Sequence, residues 1–247
     1  MAAVIRSDEH QGLSDGLAPE SSGAPTGWKA PLSLPERLRA RYATSHLRLL
    51  VAIPANLVGA GGAALFALAG WRHYESTHSF VGAGFFAVQI WVVLAYLARR
   101  PASVVSQRAG DWLLAFGGTF GGVLFRPYGA HPHWGVTAGA ALQAVGLAIC
   151  AASLLSLGRS FGFAPADRGL KSRGTYALVR HPVYGSYVFL LLGYVLQSVS
   201  LRNVLVTVFV LGCDVGRALA EERLLRGTSG YDEYRAQVRW RLLPGIW

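Results

Sequence analysis

The chain has 247 residues, of which 52% are apolar and only 15% charged, whereas soluble domains usually carry about 25% charged residues. This composition excludes an ordinary soluble domain, and the apolar runs are too long for barrel strands, so a helical membrane protein is predicted. The net charge of +10 does not indicate nucleic-acid binding, because the basic residues lie between apolar runs, as cytoplasmic membrane loops do.

Hydropathy divides the chain into a tail and six apolar runs. Residues 1–28 are polar and rich in Ser, Gly and Pro, which predicts a disordered cytoplasmic tail with no cleavable signal peptide. Residues 29–157 hold four runs, and residues 158–247 hold the last two with the polar segments around them. The predicted spans lie at about 49–70, 80–98, 112–125, 134–157, 183–198 and 201–219. Only a short turn separates the last two spans, which predicts a helical hairpin.

Loop charge predicts the orientation of these spans. Strongly and weakly basic loops alternate along the chain, as six spans with both termini in the cytoplasm require. The run at 112–125 is short for a bilayer core of about 30 Å, but omitting it would place the basic N-terminal flank outside. We therefore expect an all-α polytopic protein of about six spans. Its Ala/Gly/Arg-rich composition suggests a bacterial source, and hence the inner membrane.

The polar segment 158–184 leads into the fifth span. Arg180 and His181 directly precede Pro182, a residue that commonly starts helices. Because helix N-termini favour anions, a ligand site is one interpretation. The other is that Arg180 only sets orientation and His181 is an interfacial residue. The segment has neither a P-loop nor a dinucleotide-binding fingerprint.

A second polar cluster lies in the sixth span. Asp214, Arg217 and Glu221 are spaced i, i+3, i+7 and share one helix face, with Glu222 beside them. The cluster is either an ion pair at the cytoplasmic rim or a site in which Arg217 holds an anionic substrate group and Glu221 accepts from an amine or hydroxyl of a cofactor.

The C-terminal tail is basic and aromatic. Its members are Tyr231, Tyr234, Arg235, Arg239 and Arg241. Such residues commonly anchor a protein to anionic membrane lipids, and a tail of this kind could also fold back over a site as a lid. Only His131-Pro132-His133 has a spacing like that of metal ligands, and no carboxylate accompanies it, so no metal is predicted.

The C-terminal motifs, taken together, resemble those of a known family. They are LGRSF at 157–161, GTYALVRHPVY at 174–184, Glu221-Glu222 followed by Leu224-Leu225, and Leu243-Pro244-Gly245. Their order and spacing resemble the isoprenylcysteine carboxyl methyltransferases and their bacterial relatives, which are similar to phospholipid N-methyltransferases. The resemblance covers about 155–247; the earlier part matches only as generic membrane spans.

This resemblance implies an S-adenosylmethionine-dependent enzyme that methylates a lipophilic acceptor, either a carboxylate or a lipid amine or hydroxyl. The loop before the hairpin and the cytoplasmic tail would enclose the cofactor. By position, the implied cofactor-binding residues are Tyr176, His181, Pro182, Val183, Tyr184, Glu221, Arg168, Gly169 and Leu170. Arg217 would orient the acceptor, and Arg180 would support the site.

The chain also departs from the family pattern. Ser186 stands where the family has glycine, Gly185 comes one place early, and Thr175 replaces a proline. An NADPH-dependent membrane reductase of sterol-reductase type is an alternative, but such reductases typically have Asn where this chain has Val183. A non-enzymatic scaffold or transporter is a further alternative. The scarcity of ionisable residues in the first five spans disfavours ion transport.

Overall fold

The computed structural model describes residues 45–127 and 129–247, so the predicted tail at 1–28 lies outside the described residues. Helix accounts for 72% of the structure and strand for 3%, which confirms the all-α prediction. The helices are α1 (Ser45–Thr77), α2 (Phe80–Ala98), α3 (Ala109–Phe120), α4 (His133–Leu157), α5 (Pro182–Gln197), α6 (Leu201–Leu225) and α7 (Tyr231–Gln237). A two-residue antiparallel ribbon joins β1 (Val104–Val105) to β2 (Ala166–Asp167).

Within this described part, four segments are long and apolar enough to cross a membrane. They are Ile53–Thr77, Phe80–Ala98, His133–Ser160 and Leu201–Leu225. Each coincides with a predicted span, and large apolar side chains such as Val58, Leu97 and Leu155 are exposed on their surfaces. The fold is therefore compatible with an integral membrane protein.

The other two predicted spans form shorter elements. Helix α5 has 16 residues and α3 has 12, whereas a crossing needs about 20. After α3 the chain tightens into the 3₁₀ turn Gly121–Leu124, in a glycine-rich stretch with low helix propensity. Length and composition therefore support four crossings, which is fewer than the six predicted.

The helices pack in pairs: α1 with α2, α4 with α5, and α3 with α6. The predicted hairpin is present, since residues 198–200 alone connect α5 to α6. Helix α5 nevertheless packs more extensively along α4 than along α6. Glycines permit this approach, because a Cβ on Gly139 would come within 2.6 Å of Gln197 Cγ and closer still to the Gly193 carbonyl oxygen.

A buried carboxylate fixes the start of α3 to the end of α6. Asp111 Oδ1 accepts a hydrogen bond from Arg223 Nη2 at 2.6 Å, and Asp111 Oδ2 accepts one from Ser106 Oγ at 2.5 Å. Ser106 follows β1, whose pairing with β2 ties the 158–181 loop to the same region. These contacts bring the loop, α3 and the polar end of α6 together.

Candidate functional site

The site begins at the first turn of α5. Pro182 is the first residue of the helix, where its missing N–H costs nothing, and His181 lies just before the helix. The backbone N–H groups of Arg180 and His181 donate to the carbonyls of Trp240 and Arg241 at 2.9 and 2.7 Å. The C-terminal tail is thereby held across the start of α5.

Two adjacent carboxylates from α6 reach His181. His181 Nδ1 lies 3.6 Å from Glu221 Oε2, and His181 Nε2 lies 3.4 Å from Glu222 Oε1. The histidine is buried within ion-pair distance of both carboxylates, and among the described residues its Nε2 has no hydrogen-bond partner. The glutamates differ in access, because the Glu221 side chain is 26% exposed and that of Glu222 only 2%.

Glu222 is the centre of a buried charge network. Its Oε1 accepts from Arg180 Nε at 2.9 Å and from Arg241 Nε at 3.2 Å. Arg180 Nη1 also donates to the Val238 carbonyl at 3.0 Å. The two arginines compensate the charge of the buried carboxylate. Because Arg180 precedes α5 and Arg241 belongs to the tail, Glu222 links α6, α5 and the C terminus.

Glu221 instead belongs to a cluster with Tyr184 and Arg217. The Tyr184 hydroxyl donates to Glu221 Oε1 at 2.5 Å. The Arg217 guanidinium lies over the Tyr184 ring, with Cζ 5.0 Å from the ring centroid. The Tyr184 and His181 rings are stacked, with centroids 5.9 Å apart. One partly exposed carboxylate, two aromatic rings and a guanidinium thus share one site.

Arg217 is anchored by groups from three segments. Its Nη2 donates to the Phe163 carbonyl at 2.9 Å, and its Nη1 contacts Asp214 Oδ1 at 3.3 Å and Thr119 Oγ1 at 3.4 Å. Helix α3 comes this close because residue 118 is glycine, where a Cβ would lie 2.6 Å from Asp214 Oδ1. Arg217 is therefore buried and rigidly oriented.

The loop residues predicted to bind the cofactor, 168–170, do not all lie near the carboxylates of α6. Arg168 packs its guanidinium against Gly162 and lies within electrostatic range of Glu221. Gly169 adopts a left-handed φ of 90°, which glycine tolerates at no steric cost. Leu170 packs in a separate apolar cluster around Tyr231 and Tyr234 of α7.

Two further predicted residues have different surroundings. Tyr176 is buried beneath α7, where the Tyr234 hydroxyl donates to the Tyr176 carbonyl at 2.7 Å. The side chain of Val183 packs against Cys150 and Leu154 of α4 in an apolar cluster. Among the predicted site residues, His181, Tyr184, Arg217 and Glu221 contact one another and form the polar part of the site.

Burial and neighbouring charges shift the pKa values of three side chains in the loop before α5. Burial alone lowers the pKa of His181, but the contacts with Glu221 and Glu222 outweigh it, so the pKa is raised above its ordinary value. Burial raises the pKa of Tyr176 well above its usual range, and the charge of Glu221 adds to this effect. Burial, together with the Arg99 charge, lowers the pKa of Arg168 to about 10.

The sequence interpretation missed some partners of this site. The Phe163 carbonyl and Thr119 bind Arg217, and Arg241 binds Glu222, but none was predicted to do so. Backbone carbonyls leave no signal in a sequence. The only local hint for Thr119 is the Gly117-Gly118 pair before it, which suits close helix packing.

No protein-family model matches this chain, and no curated protein matches it. Among the described side chains, no group of three or more His, Cys, Asp or Glu residues could hold a metal ion. The resemblance to the methyltransferase family therefore depends on the motif residues alone.

Proposed function

We propose that this chain is an integral membrane S-adenosylmethionine-dependent methyltransferase, related to the isoprenylcysteine carboxyl methyltransferases, that acts on a lipophilic acceptor. The supporting observation is the contact of His181 and Tyr184, at the start of α5, with Glu221 and Arg217 of α6. These four side chains come from the two polar clusters that flank the hairpin, and a merely orienting charge or a lipid-facing ion pair would not need them to meet.

The residues present fit a sulfonium cofactor with an amino acid end and ribose hydroxyls. Glu221 is partly exposed and can accept hydrogen bonds from an ammonium or hydroxyl group. Within the described residues, the buried Nε of Arg168 has no hydrogen-bond partner, so it can donate to a cofactor carboxylate. The left-handed turn at Gly169 leaves open space around the backbone beside it.

The chain's own residues bind the cofactor, orient the acceptor and exclude water. The cofactor, when bound, supplies an electrophilic methyl group. His181 is fixed between two carboxylates, and Tyr184 holds the Glu221 carboxylate in one orientation. Buried Arg217 orients the acceptor, and the tail over α5 covers the site. Positioning of this kind can lower a barrier by about 7–11 kcal/mol, and methyl transfer needs little further machinery.

The proposal includes six membrane-crossing segments with both termini at the cytoplasmic face of a bacterial inner membrane. In favour of it, α3 and its 3₁₀ turn together cover 109–124, and α5 is an apolar helix although short. The alternation of loop charge supports the same orientation. A site at the polar end of α6 would then lie at the membrane boundary, where a polar cofactor arrives from the cytosol and a lipophilic acceptor from the bilayer.

Isothermal titration of the purified protein in lipid nanodiscs tests the proposal. We expect binding of S-adenosylmethionine and of its demethylated product, and no binding of NADPH. Glu221→Gln should weaken cofactor binding by about tenfold, or about 1.4 kcal/mol, because it removes a charged acceptor. Glu233→Gln, on the exposed surface of α7, is the matched control and should bind as the wild type does. Absence of cofactor binding to the wild-type protein would refute the function.

A further inference from the structure

The buried ion pair between Asp214 and Arg217 is incompletely satisfied. Asp214 is 1% exposed, and its Oδ1 lies 3.3 Å from Arg217 Nη1. Among the described residues, Asp214 Oδ2 and Arg217 Nε have no hydrogen-bond partner. Burying an acceptor or a donor without a partner is costly, because the group loses its hydrogen bonds to water and gains none. Within the described part of the chain, the pair therefore has one acceptor and one donor free for a ligand group that can both donate a hydrogen bond and accept one.

An aromatic cluster leads from this pair to the exposed apolar surface. Phe163, whose carbonyl accepts from Arg217 Nη2, packs its ring against Phe116 at 5.0 Å and Phe120 at 6.2 Å between centroids. Phe116 and Phe120 are 51% and 41% exposed on α3. Hydrocarbon that lies along these rings would therefore bring an attached polar group toward Arg217.

We propose that Asp214 and Arg217 form the acceptor subsite, that the acceptor is a hydroxyl-bearing lipophile (a phenol or an alcohol), and that Asp214 takes its proton. This inference rests on the proposed methyltransferase function and narrows its acceptor class. A hydroxyl donates one hydrogen bond and has two lone pairs. It can donate to Asp214 Oδ2 and accept from Arg217 Nε while its second lone pair remains available for attack.

The other acceptor classes fit these atoms less well. A carboxylate would face the unpaired Asp214 oxygen, with Glu221 on the same helix face, and Arg217 is already neutralised by Asp214. An amine has a single lone pair, so accepting from Arg217 Nε would occupy the electrons needed for attack. The hydroxyl alone satisfies both unpaired atoms and stays nucleophilic.

The proposed step balances in atoms and charge. The acceptor O–H bond breaks, and its proton passes to Asp214 Oδ2. The hydroxyl oxygen forms a bond to the methyl carbon of the sulfonium donor, while the S–CH₃ electron pair stays on sulfur. A positive sulfonium and a negative carboxylate thereby become a neutral thioether and a neutral carboxylic acid, alongside the methyl ether.

The first test measures ligand binding to the wild-type protein without any methyl donor. Four probes share one alkyl tail: 4-octylphenol, 4-octylanisole, 4-octylaniline and 4-octylbenzoic acid. Equilibrium binding to the full chain in nanodiscs should be tightest for the phenol, by about tenfold over each of the others. Tightest binding of the benzoic acid or the aniline, or equal binding of phenol and anisole, would overturn the hydroxyl assignment.

The second test uses a near-isosteric variant and a control on the same helix. Asp214→Asn replaces one acceptor oxygen with an N–H donor, so phenol affinity should fall about tenfold. Thr207→Val removes another buried, unpartnered hydroxyl outside the ion pair and should leave phenol affinity unchanged. Wild-type phenol affinity in Asp214→Asn would remove Asp214 from the subsite.

The two proposals fail separately in these measurements. Loss of the phenol preference with intact S-adenosylmethionine binding refutes the acceptor assignment alone. Absence of cofactor binding refutes the methyltransferase and with it the role of Asp214 in methyl transfer, whatever the phenol affinity.

Discussion

At the scale of single residues, His181 shows how burial and charge compete. Enclosing an imidazole in protein disfavours its cation, yet Glu221 and Glu222 approach both ring nitrogens. The carboxylates prevail and raise the histidine's pKa, so the folded protein binds the proton more tightly than the unfolded chain does. The Tyr184 ring stacks on the imidazole, and Arg180 binds Glu222.

His181 should therefore make stability depend on pH. A pKa raised in the folded state contributes stability that is complete below the unfolded pKa of about 6.5 and is lost as pH rises through the folded value. We expect the melting temperature to fall across this range in the wild type and to fall less in His181→Gln. His73→Gln, on an exposed residue of α1, should keep the wild-type dependence. Identical pH profiles for the wild type and His181→Gln would contradict the prediction.

At the scale of elements, the helix pairs depend on where glycines lie. Gly139 of α4 and Gly193 of α5 let two backbones touch, and Gly118 of α3 leaves room for the Asp214 side chain of α6. The apolar surfaces elsewhere on these helices would pack equally well on lipid, so small residues decide which helices associate. The α4–α5 contact positions the start of α5, and hence His181, against α6.

Adding one methyl group at this contact should be costly. Gly139→Ala would place a Cβ against the Gly193 carbonyl, a backbone atom that cannot move aside, and we expect a loss of about 1–3 kcal/mol of stability. Gly61→Ala in α1 is the control, since nothing lies within 4 Å of the position that its Cβ would occupy. It should be neutral or stabilising, because alanine favours helix by about 1 kcal/mol. Thermal unfolding of both variants in nanodiscs checks the difference.

At the scale of the whole molecule, the C-terminal tail closes the fold. Glu222 of α6 holds Arg180 before α5 and Arg241 in the tail, and Arg241 also lies over the Trp247 ring at 4.4 Å. Residues more than 40 positions apart in sequence are thereby joined through one buried carboxylate. The tail is thus bound through buried charges to the ends of α5 and α6 where His181 and Glu221 lie.

Neutralising this carboxylate should release the tail. In Glu222→Gln, Arg180 and Arg241 lose their shared charge partner, and breaking a buried pair costs about 3–5 kcal/mol. We expect limited trypsin digestion to cleave within 238–247 at least about a hundredfold faster than in the wild type, because cleavage follows the population of the opened state. Glu233→Gln, an exposed glutamate of α7, should be cleaved at the wild-type rate. Equal rates in all three proteins would show that Glu222 does not hold the tail.

The sequence by itself determined the helical class, four long apolar helices and the shared face of Asp214, Arg217 and Glu221. Each of these follows from local composition or from helical spacing. It did not predict that α3 would be a helix of only 12 residues followed by a 3₁₀ turn, because hydropathy does not register how glycines end a helix.

Only the tertiary structure decided that α3 lies against α6, that Thr119 and the Phe163 carbonyl hold Arg217, and that Glu222 rather than Glu221 binds the tail. Such contacts join segments far apart in sequence, and apolar helices of similar composition can pack in many arrangements. The choice among them depends on close backbone approach and on the pairing of buried charges, which become defined only when all the helices are in place.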